Sequence, residues 1–438
     1  MPSGASTGTR EAVELRDGDP ARFGGAGVLT AVGNVNGELN AALAGRTWHN
    51  LAEVDQAMRD LDGTPNKARL GANAIIGTSM ALARALAASE GRPLYEWLPG
   101  FGQPARLPVP CFNVLNGGAH APNPLDFQEF MVCPLGAPSM AEAVRAGAEV
   151  YQALRKRLVA GGHATGLGDE GGFAPDLAEP EEVLELIVAS IADAGYPLGS
   201  AGVGIALDPA ASEFYSDGGY TVNGSRLTSA ELIARYAAML DRFPIWSIED
   251  GLGEQDAAGW QQLTAALGER VQLVGDDNFC TNPAIITAAI AEGIGNAALI
   301  KVNQIGTVTE TLEAMRICHE AGYGQMVSHR SGETPDTFIA DLAVATGCGQ
   351  LKTGAPARGE RVAKYNRLIQ IAASSRSARV KCSRPGGVNP STAHQGRRRP
   401  GGVSTSKPPS MPSAPILVRA VRPAGKPSWF SRPRTCCR

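Results

Sequence analysis

With 438 residues, 43% of them apolar, the chain can bury a large core and form more than one domain. No stretch is apolar enough to span a bilayer, the start carries no signal-peptide pattern, and the eight cysteines make no C-x-x-C or regular framework, which excludes membrane-spanning and disulfide-scaffold classes and fits a reducing cytoplasm. The formal charge of −3 hides two populations: residues 373–438 hold 14 of the 40 Lys+Arg and no acid, leaving an acidic body of net charge −17.

The chain opens on a Ser/Gly/Thr loop, residues 3–8, with no strand before it. A flexible, hydroxyl-rich loop suits a lid over a site for phosphate or an oxygen-seeking metal, although a frayed terminus is the commoner explanation of such a start. Helical spacing follows over 28–43, 51–61 and 71–89, and RPLYEWLPGFG, with Pro93 and Pro99, reads as an interdomain connection. Two strand-like runs between Leu107 and Val132 flank a Gly/Asn/Pro loop bearing His120. Gln128 and Glu129 lie in the second run, where alternation puts at least one of them on a face that should be apolar. Alone, a buried Glu is more often a structural partner than a catalyst. Residues 140–160 form an amphipathic helix. GLGDEGGFAP (166–175) contains G-x-G-x-x-G, but Asp169 and Glu170 inside it would repel a pyrophosphate and no apolar strand precedes it. Proton transfer or metal binding suits that loop better.

From about residue 200 a strand–helix unit repeats. VGIALDP ends in Asp208, IWSIEDG carries Glu249, VQLVGDD ends in Asp276 and Asp277, and AALIKVN holds Lys301. GQMVSHRSG then leads to His329 and Arg330, and GQLKTG contains Lys352. These side chains recur every 23–41 residues, with helical segments such as 309–320 and 336–346 between them and Pro283 at a helix start. Functional side chains at or near successive strand ends are the pattern of a (β/α)8-type barrel. One such acid would more often cap the following helix; a whole series in register argues for a shared site. Lys301 is the sharpest signal, because a lysine within an apolar strand beside carboxylates costs too much desolvation to be incidental. No P-loop, H-E-x-x-H or nucleophile elbow occurs. At Ala373 the pattern gives way to ten prolines, no acids and no periodicity, so 373–438 is expected to be disordered. The triple arginine at 397–399 permits a nucleic-acid arm. Out-of-frame translation is favoured instead, since the break is abrupt and interrupts a closing helix, RVAKYNRLIQI; nucleic acid is not an expected partner.

Three carboxylates, Asp208, Glu249 and Asp276, without His or Cys among them, select a hard cation such as Mg²⁺. Lys301, Lys352, Arg330 and Ser331 suit an anionic substrate bearing phosphate and carboxylate. Burial and neighbouring positive charge are expected to favour neutral Lys301, making it a base near neutral pH. Glu170 and Glu129, if adjacent, raise one another's pKa and leave one protonated as an acid. A metal, a strong base and a separate acid describe proton abstraction beside a carboxylate followed by loss of a hydroxyl.

In SGASTG, NKARLGANAIIG, LNGGAHA, FQEFM, GDEGG, SIEDGL, GDD, LIKVNQIGT, SHRSGET and KTGAPARGERVAKYN, collinear from Pro2 to about Ile371, the chain resembles the enolase family, the glycolytic 2-phosphoglycerate dehydratases. The resemblance implies an α/β fold: a truncated α+β N-terminal capping domain (1–100), a β2α2(βα)6 TIM-like barrel (101–372), then the aberrant tail (373–438). It implies a hydro-lyase that reversibly dehydrates 2-phospho-D-glycerate to phosphoenolpyruvate, using two Mg²⁺ per site, the second recruited with substrate. By matching positions, Asp208, Glu249 and Asp276 bind the tighter ion and Ser6 the second. Lys301 matches the base that removes the C2 proton and Glu170 the acid that assists loss of the C3 hydroxyl. Glu129 and His120 match the leaving side and Gln128 a substrate contact. Arg330 and Ser331 match the phosphate clamp, with His329 and Lys352 completing the pocket. A cytoplasmic homodimer or homo-octamer is implied, with a cell-surface fraction as in some members. The family's opening strands and last helix are missing here, so the expected faults lie at the two ends; Pro122, Pro124 and Asn278 depart from the pattern without touching an expected ligand. Two alternatives stand beside this reading. One is a sugar-acid dehydratase of the same superfamily, against which the SGASTG loop and the Arg330/Ser331 pair argue. The other is an inactive, truncated chain whose basic tail binds acidic partners.

Overall fold

A computed structural model describes residues 3–4, 6–102, 104–374 and 416–417. Apart from Ile416–Leu417, which pairs antiparallel with Thr47–Trp48, the tail beyond residue 374 and the disorder expected of it lie outside the described residues.

The N-terminal part is helical. The stretch expected over 28–43 forms as Leu29–Asn34 and Asn40–Leu43, joined through a π-turn at Val35–Leu39. Helix α1 (Leu51–Asp62) starts where the Asn50 side chain accepts from the Glu53 amide and stops at left-handed Gly63. Helix α2 (Ala72–Ser89) is rich in Ala and Leu and buries Ile75, Ile76, Met80, Ala83 and Leu86. The proposed connection RPLYEWLPGFG is anchored rather than free: its short helix Leu94–Trp97 packs into the main core through Leu94, Tyr95 and Trp97.

Eight strands close a barrel: β1 (Val109–Asn116), β2 (Glu129–Cys133), β3 (Gly204–Asp208), β4 (Ile245–Glu249), β5 (Gln272–Gly275), β6 (Ala297–Ile300), β7 (Gly324–Ser328) and β8 (Gly349–Lys352). Strand β2 runs antiparallel to both β1 and β3, and every other pairing in the barrel is parallel. Two helices, α3 (Met140–Ala160) and α4 (Pro180–Asp193), separate β2 from β3. Each later strand is followed by one main helix: α5 (Ser229–Arg242), α6 (Ala257–Leu267), α7 (Pro283–Glu292), α8 (Val308–Ala321, preceded by the turn Val302–Ile305), α9 (Phe338–Thr346) and α10 (Gly359–Ser374). The architecture is therefore the β2α2(βα)6 barrel that the resemblance implied. Among the described residues, no helix is long and apolar enough to cross a membrane.

The strand-end acids are not helix caps. Thr228, Asp256, Asn282 and Thr307 cap α5, α6, α7 and α8, so Asp208, Glu249 and Asp276 are released from that task. The helical N-terminal part grips the barrel at the start of α8. Asp55 accepts from the Thr309 amide at 3.0 Å, Ser79 Oγ accepts from the Val308 amide at 3.1 Å, and Lys67 meets Glu310 at 3.2 Å.

Helix α3 lies on β1 at a place where only glycine fits. A Cβ built on Gly147 would stand 2.4 Å from the Phe112 ring. Gly147→Ala is expected to destabilise the chain by about 1–3 kcal/mol through overpacking, despite alanine's better helix propensity; a denaturant midpoint unchanged or raised would refute that packing.

Candidate active site

Successive strand residues alternate between the barrel interior and the surrounding helices. The interior plug comprises Val109, Cys111, Met131, Cys133, Ala206, Val274, Ala297, Leu299 and Met326. Two residues further along the same inward parity come Asn113 after Cys111, Asp208 after Ala206, Asp276 after Val274 and Lys301 after Leu299. Glu249 and Lys352 are the last residues of β4 and β8. Glu129 is the first residue of β2, and because β2 is antiparallel it reaches the mouth that its neighbours reach with their last; its register partner is Asp208. All of these side chains are buried. Lys301 corrects the sequence reading slightly: it stands one residue beyond β6, before the helical turn Val302–Ile305, rather than within the strand.

Two lysines are threaded among the acids. Lys352 Nζ lies 2.7 Å from Glu249 Oε1 and 3.2 Å from both Asp208 Oδ2 and Glu129 Oε1. Lys301 Nζ pairs with Asp276 Oδ2, and the other Asp276 oxygen accepts from Gln304 Nε2 at 2.7 Å. Asp208 and Glu249 end β3 and β4 and Asp276 stands one residue beyond β5, without the three gathering into one tight group. Among the described residues, the acid and histidine sets whose ligand atoms lie within 4.8 Å of one another are His120/Glu129/Glu170 and Asp250/Asp276/Asp277. Asp208 and Glu249 share the Lys352 ammonium, whereas Asp276 is paired with Lys301. Asp250 serves the loop, accepting from the Asp276 and Asp277 amides at 2.8 and 2.9 Å.

The electrostatics call for positive charge. Burial, then Asp208 and Asp276, push the Glu249 carboxyl well above its usual range against the pull of Lys352, and Glu249 Oε2 has no hydrogen-bond partner among the described residues. Gln128 Oε1 is likewise unpartnered, with its Nε2 3.5 Å from Asp208. Oxygen donors of this kind, free of sulfur and nitrogen, fit a hard divalent cation. The expectation of a neutral Lys301 is not met in this arrangement. Burial is the largest single influence and lowers its pKa, but Asp276, helped by Glu249, raises it above the ordinary lysine value on balance. Lys352 is raised well above that value, its three carboxylates outweighing burial.

Glu129 and Glu170 are close, as expected, and their environments push them apart. Burial and the Glu170 charge raise Glu129 well above the carboxylate range. Burial also acts to raise Glu170, but His329, His120 and Lys352 bring it well below. These opposite directions favour protonation of Glu129 over Glu170, whereas the resemblance assigns the acid role to Glu170. Asn113 Nδ2 donates to Glu170 Oε2 at 3.0 Å, His329 Nε2 lies 3.0 Å from Oε1, and His120 Nδ1 lies 3.7 Å from Glu129 Oε1 and 4.0 Å from Glu170 Oε1. Burial, with help from Arg361, lowers the His329 pKa to about 3 against the opposing pull of Glu170.

The N-terminal segment crosses the mouth. Arg330 is clasped by both Glu11 oxygens, at 2.9 and 3.1 Å, and the Gly332 amide donates to the Ser3 carbonyl. A Cβ on Gly8 would stand 2.6 Å from Cys280 Sγ and 2.7 Å from the Asp277 carbonyl, so the close approach of this segment requires glycine. One cavity of about 240 Å³ joins the halves: Ser6, Arg330 and Ser331 line it together with Lys301, Lys352, Asp208, Glu129, Glu170, Gln128, His120 and His329. Glu249 and Asp276 do not line it; they are engaged by Lys352 and Lys301.

Residues 1–98 match the family described as Enolase, N-terminal domain, and residues 104–380 match Enolase, C-terminal TIM barrel domain. The chain belongs to the enolase family. It is 57% identical over 382 residues to the Enolase of Rubrobacter xylanophilus, covering 87% of this chain and 88% of that protein. It is also 57% identical over 374 residues to Enolase 1 of Methylococcus capsulatus, covering 85% and 88%. Four contributors to this enolase-family mouth lay outside the sequence reading: Asn113, Glu11, Gln304 and Arg361. Asn113 could have been found, since it is a polar residue at an inward position of a buried strand. Arg361 opens the buried stripe Arg361, Lys364, Tyr365, Leu368 of α10 and could have been found by helical spacing; Glu11 and Gln304 lie in a loop and a single helical turn, where no periodicity marks them.

Proposed function

We propose that this cavity is where the chain, a lyase of the enolase family, interconverts 2-phospho-D-glycerate with phosphoenolpyruvate and water. The observation that carries the reading is a buried amine, Lys301, sharing one cavity with the acid cluster of Glu129, Glu170 and His120. Lys301 takes the C2 proton. Glu170 passes a proton to the departing C3 hydroxyl, with Glu129 as the neighbouring carboxyl on the leaving side. His120 flanks that side and Gln128 contacts the substrate. Arg330 and Ser331 hold the phosphate, and His329 and Lys352 complete the pocket.

Asp208, Glu249 and Asp276 would hold Mg²⁺ and Ser6 a second ion; bound there, they would supply the concentrated positive charge that makes a proton beside a carboxylate removable. Were Asp276 engaged by a cation, Lys301 would keep the burial that lowers its pKa and lose the anion that raises it. Arg330 and Ser331 at the cavity wall favour a phosphorylated substrate over an unphosphorylated sugar acid.

The purified full chain, given 2-phosphoglycerate and Mg²⁺, is expected to produce the ultraviolet absorbance of the enol phosphate. Chelation should lower the rate by more than about 100-fold, reversed by added Mg²⁺. Turnover indifferent to chelation, or none with Mg²⁺ present, would overturn the proposal.

A further inference from the structure

Arg361, in α10, is 1% exposed and lies outside every role assigned above. Its two terminal nitrogens carry four N–H groups, and all four are used. Nη1 lies 2.6 Å from His329 Nδ1 and donates to the Arg330 carbonyl at 2.6 Å. Nη2 donates to the Ser331 carbonyl at 2.6 Å and the Asp169 carbonyl at 3.1 Å. The acceptors belong to the two loops that carry Glu170 and the Arg330/Ser331 pair. The arginine stem also presses against Gly354: a Cβ there would stand 2.8 Å from Arg361 Cδ and 2.8 Å from the Glu170 carbonyl, at a φ of +83°.

The contact with His329 decides a protonation question. A guanidinium only donates, so Nδ1 must present its lone pair, and the single ring proton of the imidazole is left on Nε2. Nε2 is the atom 3.0 Å from Glu170 Oε1, although the pair is not aligned as a full hydrogen bond in this arrangement. In the opposite tautomer a lone pair would face the carboxylate, and Arg361 would meet an N–H. We propose that Arg361 is a positioning residue for the elimination half of the reaction: it locks His329 in the Nε2–H tautomer, so that Glu170 faces a neutral donor, and it ties the loop of Glu170 to the loop of Arg330 and Ser331. The inference rests on the roles given to Glu170 and Lys301 in the preceding section.

The first test needs no substitution in the chain under study. Nitrogen-15 spectra of the full histidine-labelled chain, with the His329 signals identified by their loss in His329→Gln, should show a protonated Nε2 and an unprotonated Nδ1. The reverse pattern, or a doubly protonated ring at neutral pH, overturns the inference. The second test separates positioning from scaffolding. Arg361→Lys keeps the charge but cannot serve all four acceptors; it is expected to lower elimination by at least about 100-fold while C2 proton exchange stays within about tenfold. In a His329→Gln background the same change should cost less than about threefold more, because the residue through which Arg361 acts is already gone. Equal loss of exchange and elimination, or full additivity in the double variant, would assign Arg361 to the scaffold alone. A parent chain that performs neither exchange nor elimination would instead defeat the proposed function, and would leave the tautomer measurement standing on its own.

Discussion

Lys301→Ala removes exchange of the C2 proton of 2-phosphoglycerate with solvent, by about 10⁴-fold or more, equivalent to at least ~5 kcal/mol of barrier. The size of the effect follows from the lack of a substitute. Lys352, the other amine in the cavity, is committed to Glu129, Asp208 and Glu249, which raise its pKa and hold it charged. Deuterium incorporation at C2, followed by proton NMR under conditions where elimination is slow, reads the step directly. The same variant should leave the substrate phosphate bound, since Arg330 is oriented by Glu11 rather than by Lys301. It should also tighten Mg²⁺ binding modestly, because an ammonium paired with Asp276 competes with the cation for that carboxylate. Exchange that survives at near-parental rate would mean that another group is the base.

Glu170→Gln gives the complementary result: C2 exchange persists within about tenfold, while phosphoenolpyruvate formation falls by roughly 10²–10⁴-fold. Glutamine keeps the shape but cannot release a proton to the departing hydroxyl. The amide also disturbs its surroundings, because Asn113 Nδ2 and His329 Nε2 both approach the carboxylate and only one of them can face an amide oxygen. Loss of the Glu170 charge removes an influence that raises Glu129, so the pKa of Glu129 should fall in this variant. Loss of exchange in both variants to the same degree would show that base and acid have been wrongly divided between Lys301 and Glu170.

Much of the architecture is legible because repetition is a local property. Each βα unit carries its own apolar run, turn and cap, so the residues that end β3, β4 and β8 and the one just beyond β5 could be read from spacing alone. The expected helix at 140–160 forms with those limits, and the segment expected over 309–320 forms as Val308–Ala321. Least legible in the sequence is a place where the backbone reverses its usual sense. Nothing in FQEFM states that its strand is antiparallel, yet that reversal is what brings Glu129 beside Asp208. Charge is hard to read as well. Burial and neighbouring positive charge are the grounds for expecting a neutral Lys301, whereas the direct ion pair with Asp276, 25 residues away, outweighs them and is made only by barrel closure.

By itself, then, the sequence determined the kind of chemistry available. Strand-end acids, a lysine among apolar residues, an acid-bearing glycine loop and an arginine–serine pair are choices of residue type, and their order along the chain identifies the family. Only the tertiary structure decided how these groups divide their work. Closure of the barrel set Lys352 among three carboxylates, and burial with unequal neighbours drove the Glu129 carboxyl up and the Glu170 carboxyl down. A buried guanidinium from α10, distant in sequence from both loops it joins, fixed the tautomer of His329. The physical reason is common to all three. Residue identity sets which charges and protons can exist, but their affinity depends on desolvation and on neighbours within a few ångströms, and those neighbours are assembled only when the chain closes on itself.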